Sequence, residues 1–334
     1  MPVYGTDVEI SMCFQNSFDT IGDIANSAQS IALINESFNA AQPLLTSDNL
    51  RNTVDRGDSY AGAKEVAGEI ECEVVPKTVG YLFKSVMDRT SSVQSDSLYT
   101  HTFKPRTSQE IPGCVNKPVT IVKKWGSGAN DRVNYYNLDA GGFEFTCEAG
   151  GYAKLKIPFK GGRNDNGTTD HTASYPNELP FKWDQSSISI NSNAVDYVKS
   201  LTISLDESSE AGHTLSEDCD AWPDRITRTG FRTGVVNMTL SFDTTSEYVA
   251  FRGDAATVPP FTQPVVVTLT QAVEVQSGYY HQISFNMPKV VWESMDAPTA
   301  GVGETEITLN GKIKHNANDG HMLAITLVDT KSAY

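Results

Sequence analysis

The chain has 334 residues, among them 25 Gly and 15 Pro, and 41 acidic against 26 basic residues leave a formal net charge of −15. A protein that grips nucleic acid usually shows a basic face, because neutralising phosphates supplies most of the affinity. This balance argues against tight DNA binding, though not against a role in which DNA passes by without sticking. Met1 to Met12 contain no basic region followed by an apolar stretch. No run approaches the roughly 20 apolar residues of a membrane span, so the expectation is a soluble protein made without a secretory signal.

Taken in chain order, short runs of Val, Ile, Thr, Phe and Tyr separated by Asn, Asp, Gly and Ser predict an all-β class with short flanking helices. The length accommodates two domains, each with its own core. In the first, residues 1–160, strands are expected at Ser30 to Ser37, Lys64 to Val75, Tyr99 to Phe103, Val119 to Trp125, Arg132 to Leu138, Gly142 to Cys147 and Tyr152 to Phe159. Residues 161–180 are almost wholly polar and rich in breakers, which reads as a linker or exposed loop. In the second, residues 181–334, the candidates are Ser187 to Ile190, Tyr197 to Leu205, Gly234 to Phe242 and Val265 to Leu269. They continue with Tyr279 to Met287, Val290 to Met295, Thr305 to Lys314 and Met322 to Val328.

The two halves repeat a pattern. Glu69, Glu71 and Glu73 alternate with Ile70, Cys72 and Val74, as a half-buried strand requires. Shifted by 168 positions, Asn237, Thr239 and Ser241 alternate with Met238, Leu240 and Phe242. Each strand then meets a helical pattern: Val79, Leu82, Phe83 and Val86 after Pro76, and Tyr248, Val249 and Phe251 after Thr244, with Glu247 completing a capping box. SIALINES from Ser30 likewise answers SLTISLDES from Ser200. Only Gly62 with Gly230 and Phe83 with Phe251 are identical over the ungapped strand-to-helix stretch, so the repeat rests on pattern. Either the chain is an internal duplication, or two ordinary strand-to-helix units coincide. Long polar stretches, Phe38 to Tyr60 and Ser209 to Arg228, are expected to leave the core.

Chemistry-bearing motifs are sparse. There is no GxSxG, HExxH, Walker or dinucleotide fingerprint, and the six histidines show no paired spacing. Five scattered cysteines, with no CxxC, read as reduced. Arg56-Gly57-Asp58 and Arg252-Gly253-Asp254 read as turn chemistry, and the acidic stretches Ser216 to Asp224 and Asn164 to Asp170 as solvated loops without the order of a calcium loop. Three glutamates in a row on one strand face repel one another. Either cross-strand cations such as Lys123 and Lys124 answer them, or the face lines an aqueous channel.

The chain resembles the tail tube, or major tail, protein of long-tailed bacteriophages. In the second half the resemblance is carried by ISINSNAVDYVKSLTISLD from Ile188, TGFRTGVVNMTLSFD from Thr229, GYYHQISFNMPKVVWESM from Gly278 and GETEITLNGKIK from Gly303. In the first it is carried by GAKEVAGEIECEV from Gly62 and VNYYNLDAGGFEFTCEAGGYAKLKIPFKGG from Val133. The resemblance implies two tandem β-sandwich or partly rolled barrel domains, in protomers that close into stacked rings and conduct DNA. With two tube domains per chain, a trimeric ring with pseudo-sixfold symmetry is favoured over a hexamer. It implies Glu69, Glu71, Glu73, Asn237, Thr239, Ser241 and Asp243 on an acidic lumen. Ile70, Cys72, Val74, Leu82, Phe83, Met238, Leu240, Phe242, Tyr248 and Phe251 would form the core beneath.

Further implied are a place in the virion tail after synthesis in the host cytoplasm, and tape-measure and tail terminator proteins as partners. DNA would pass without tight binding, and the family brings no catalytic residue, cofactor, metal or membrane. Many tube proteins append an immunoglobulin-like domain for which this chain has no room after Tyr334, which leaves a bare tube or a minor ring such as a terminator or distal hub. The rival reading is a tandem β-sandwich that recognises a host glycan or protein, with Trp222 and the Tyr279–Tyr280 pair as loop candidates.

Overall fold

The computed structural model describes residues 7–49, 55, 58–95, 98–108, 111–126, 131–167, 169, 171–214, 220–241, 262–296 and 305–334. Phe242, Asp243, Tyr248 and Phe251, and with them the second helix expected from sequence, lie outside the described residues.

The first half opens with β1 (Val8–Phe14), α1 (Ile24–Ser27), β2 (Gln29–Ile31), β3 (Asn35–Glu36) and β4 (Asn39–Ala41). A hairpin of β5 (Leu44–Thr46) and β6 (Ser59–Ala61) leads to β7 (Glu65–Glu73) and α2 (Pro76–Val86). β8 (Met87–Ser95), β9 (Leu98–Pro105), β10 (Val119–Trp125), β11 (Arg132–Ala140), β12 (Gly142–Glu148) and β13 (Lys154–Asn166) complete it. The second half runs through β14 (Ser186–Ile190), β15 (Asn193–Ala194), β16 (Val198–Asp206), β17 (Ser209–Gly212), β18 (Arg225–Arg228) and β19 (Thr233–Ser241). It ends with β20 (Thr262–Gln276), β21 (Tyr279–Asp296), β22 (Glu306–Ile313) and β23 (Ala324–Asp329).

Several boundaries differ from the sequence pattern, each for a physical reason. The run expected from Ser30 to Ser37 splits into β2, which pairs with β1, and β3, which pairs with β7. Residues 161–166 continue β13 rather than starting a linker, because their backbone groups pair with β11 despite their polar side chains. Two expected strands merge across Pro288 into β21. Proline has no N–H to donate, and it falls where the register with β20 shifts, between the Met287↔Val265 and Val290↔Gln263 pairs, so no ladder bond is lost there. β8 has a polar, non-alternating sequence and is held by its ladder with β9.

β13 and β21 are long enough to serve two layers. The first part of β13 pairs with β7 and β12, and beyond Phe159 its partner on one side is β11. Its register shifts between Lys160 and Gly162, at Gly161, whose φ of 81° favours glycine. β21 pairs first with β20 and β23, then with β22. One layer therefore reads β3/β4, β7, β13, β12, β16, β19, β22, β21, with the two halves joined at the β12–β16 ladder from Gly142↔Asp206 to Glu148↔Ser200. The other layer comprises β2–β1–β10–β11 and β15–β14–β20–β21–β23–β9–β8.

One hydrophobic core spans both halves. α2 is central to it. Val79, Leu82, Phe83 and Val86 lie on one stripe and are buried, and Pro76 at the first turn needs no partner for its nitrogen. The Phe83 ring meets Phe103 of β9 at 5.8 Å, Phe143 of β12 at 5.5 Å and Phe285 of β21 at 6.1 Å between centroids. Burying such a ring contributes about 2–3 kcal/mol.

Candidate functional site on the sheet face

Strand alternation gives the long layer one buried and one open face. On β7, Ile70 and Cys72 are buried, as is Val74 just beyond it, whereas Glu69, Glu71 and Glu73 are partly open to solvent. The neighbouring strand answers these glutamates with cations: Glu73 faces Lys154, Glu71 faces Lys156, and Lys160 lies opposite Ala67. Lys156 Nζ contacts Glu69 Oε2 at 2.9 Å, and that hydrogen bond raises the lysine pKa. Next along, Glu144, Thr146 and Glu148 of β12 share the open face, with Glu144 opposite Lys156.

Lys123 and Lys124 are not the partners of this triad. They sit on β10 of the other layer, from which Lys123 Nζ reaches Glu36 of β3 at 2.5 Å, while Lys124 Nζ meets Glu9 of β1 at 3.6 Å. The lysines that answer it were legible as the alternation KLKIPFK from Lys154, whose partner strand could not be read from sequence.

Across the seam the face loses most of its charge. Asn237, Thr239 and Ser241 of β19 are partly exposed, and Met238 and Leu240 point into the core. Asn237 lies between Thr202 and Asn310, Thr239 between Ser200 and Thr308, and Ser241 opposite Glu306. Glu306 is in turn bridged by Lys199 at 2.8 Å. The open face is thus a mixture of carboxylates, ammonium groups, hydroxyls and amides. None of the side chains named here is aromatic, so these positions offer no stacking platform of the kind by which proteins hold single strands.

Two buried acids lie at the seam, and the side chain of one, Asp139, links the halves. Asp139 is fully buried, accepts from Asn116 N at 2.7 Å and from Ser209 Oγ at 3.1 Å, and burial pushes its carboxyl up to about 7. Glu207, equally buried, holds Arg228 at 2.5 Å and Arg232 at 2.6 Å, a charge-assisted pairing that offsets its desolvation. Neither acid carries a sequence signature.

Cys13, Cys72, Cys114 and Cys147 are buried free thiols, and Cys219 lies outside the described residues. Among the described residues no group of three His, Cys, Asp or Glu is placed to hold a metal ion. Trp222 is partly buried against the core beneath the Lys64 ammonium, 5.4 Å from its ring centroid, and Tyr280 donates to Glu274 at 3.0 Å. The described parts of the Ser209 to Arg228 stretch, 209–214 and 220–228, do not leave the molecule: β17 and β18 pack back on the first half, with Ile226 fully buried.

The family model described as phage tail tube protein matches residues 5–310, and the chain belongs to that family. No curated protein matched the chain. Membership makes it a structural component of the phage virion tail that associates with itself into a tube. Among the described residues no helix is long and apolar enough to cross a membrane.

Proposed function

We propose that three copies of this chain close into a ring with pseudo-sixfold symmetry, and that stacked rings form a tube whose polar lumen conducts DNA. The observation that carries this reading is the repeated strand order. β3/β4, β7, β13 and β12 of the first half have the same pairing as β16, β19, β22 and β21 of the second. Even the register repeats: Glu73 faces Lys154 as Ser241 faces Glu306, and Ala67 faces Lys160 as Val235 faces Lys312. This supports an internal duplication of tube domains. Two edges of the layer then remain to be matched, β3/β4 and the part of β21 beyond Trp292.

The β12–β16 ladder inside the chain is the template for joining them. Transferred to two copies, it sets β21 of one antiparallel to β4 of the next, with Ser294 opposite Ala41. Closure removes both edges, which otherwise invite uncontrolled pairing, and a head-to-tail contact along the axis builds a filament from closed rings. The lumen is then the open face bearing Glu69, Glu71, Glu73, Asn237, Thr239 and Ser241. Carboxylates exceed lysines on its first half, and hydroxyls and amides dominate its second. Phosphates meet weak repulsion and few fixed cations, which suits passage rather than binding. Tape-measure and terminator proteins are the partners such a tube requires.

Negative-stain electron microscopy of the purified chain across a concentration series tests the reading. Open-centred rings with three-fold averages and six lobes, stacking into tubes, are expected. Compact single particles at every concentration, with tape-measure protein present as well as absent, would overturn it.

A further inference from the structure

The two halves carry equivalent hairpins with different surroundings. β5–β6 follows β4 as β17–β18 follows β16, and one backbone bond closes each neck: Gly62 N to Pro43 O at 2.8 Å, Thr229 N to Ser208 O at 2.8 Å. Counting from those necks, the pair Leu44↔Ala61 corresponds to Ser209↔Arg228, and Thr46↔Ser59 to Ala211↔Ile226.

The second hairpin is docked on the first half of its own chain. Ile226 packs where Gly161 leaves room and donates its N–H to Gly113 O at 2.6 Å, and Ser209 reaches Asp139. At its far end Ala221 O accepts from Lys64 N at 2.8 Å, with Trp222 beneath the Lys64 ammonium. Among its described residues the first hairpin has no such seat. Leu44 is 69%, Leu45 63% and Tyr60 77% exposed, an apolar cluster of the kind that marks an interaction site.

The surface of the second half that corresponds to this dock can be located by register. Lys64 precedes β7 as Arg232 precedes β19, and Gly162 faces Val66 as Ile313 faces Gly234. Arg232 and Ile313 line one open cavity of about 840 Å³, together with Lys314, His315 and Met322. Phe231 lines it too and is 94% exposed, the most exposed large apolar side chain among the described residues.

We infer that the β5–β6 hairpin of one copy seats in this Arg232–Ile313 cavity of the neighbouring copy in the same ring, reproducing between chains the contact that β17–β18 makes within one. The inference rests on the proposed ring, in which pairing of β4 with the neighbour's β21 delivers the hairpin to the end of β22 beside the cavity. Charge agrees in sign: Asp48, Asp55 and Asp58 outnumber Arg51 and Arg56 along the hairpin segment, while Arg228, Arg232, Lys312 and Lys314 line the cavity, the two arginines sharing the single charge of Glu207 and Lys312 facing Glu293. Leu44, at the position of the buried Ser209, enters the cavity, and Phe231 becomes covered.

Cysteine cross-linking in assembled tubes tests this. The full chain carries Leu44→Cys and Lys314→Cys, with Cys219→Ser, and is treated with a short bismaleimide; both substituted positions are exposed. A ladder that stops at the trimer is expected. A ladder running past the trimer places the hairpin in the next ring, and an intramolecular link alone places it on its own chain; either overturns the inference. Intact rings without any cross-link also overturn it while leaving the ring itself standing, whereas absence of rings from the parent chain defeats the ring. As a second readout, Leu44→Ser with Leu45→Ser and Tyr60→Ser should leave the monomer's unfolding midpoint unchanged. The concentration needed for assembly should rise by about tenfold or more, the equivalent of 1.4 kcal/mol; an unchanged assembly threshold counts against the inference.

Discussion

Replacing Gly80 by alanine reverses sign with the state of one neighbouring side chain. In an open helix interior alanine is more stable than glycine by about 1 kcal/mol. In α2, a Cβ at residue 80 would lie within 2.6 Å of Tyr334 Cε1 and closer still to two other ring carbons. That ring cannot move freely. Its hydroxyl donates to Asp329 and to Pro76 O, and its faces and edges are set by Tyr81 at 5.2 Å and His101 at 4.8 Å between centroids.

Overpacking a site of this kind costs about 1–3 kcal/mol, and loosening a hydrogen bond to a carboxylate about 1.5–3 more. Against the 1 kcal/mol propensity gain, Gly80→Ala should destabilise the parent by about 1.5–5 kcal/mol. In a Tyr334→Ala background the obstruction is gone and the same change should stabilise by about 1 kcal/mol. The coupling between the two sites is then about 2.5–6 kcal/mol, well above the additivity error for independent positions. Urea unfolding of the unassembled chain, followed by tryptophan fluorescence in the four variants, measures it. A stabilised Gly80→Ala parent, or equal effects in both backgrounds, would refute the argument.

Asp139 gives a pH prediction with a definite sign. Its folded pKa, about 7, lies above the unfolded 3.8, so the folded chain holds a proton that the unfolded chain releases within that window. Stability from this group is greatest below 3.8 and falls as pH rises towards 7. Asp139→Asn keeps an acceptor for Asn116 N and a donor for Ser209, so it should flatten this slope and exceed the parent at pH 8 by on the order of 2–4 kcal/mol; parallel stability–pH curves from pH 4 to 8 would contradict it. Burial pushes Cys13, Cys72 and Cys114 up to about 12 and Cys147 to about 11. A chromogenic disulfide reagent at pH 8 should therefore reach these thiols only as the chain unfolds, and prompt reaction of two or more thiols in the folded protein would count against that burial. In the assembled tube, changing Glu69, Glu71 and Glu73 to lysine should leave rings intact but slow genome passage; normal infectivity of the altered phage would argue against a lumen at this face.

Much of this molecule is legible locally. Alternation in Glu69 to Val74 and in Asn237 to Ser241 reads directly as a strand with one apolar face, because side chains point to opposite faces with period two. The α2 stripe from Val79 to Val86 is legible for the corresponding reason at period 3.6. β8 and the last residues of β13 are not, since their sequences carry no apolar alternation and their strand conformation follows from backbone pairing with β9 and β11. Pro288 reads as a breaker and is one, but it breaks the hydrogen-bond ladder at a shift of partner while the strand runs on.

By itself, the sequence determined which face of each alternating strand is buried, where the helix after β7 begins, and that neither half offers a motif for catalysis. Those properties depend on residues within one element, so local spacing suffices. The tertiary structure alone decided that Lys154 and Lys156, and not Lys123 and Lys124, answer the glutamates, that β12 joins β16, and that Ile226 finds its seat beside Gly161. Each of these is a choice among partners distant in sequence. Pairing is set by register, by the room a glycine leaves and by which polar atoms can be satisfied together, and none of these is a property of one segment.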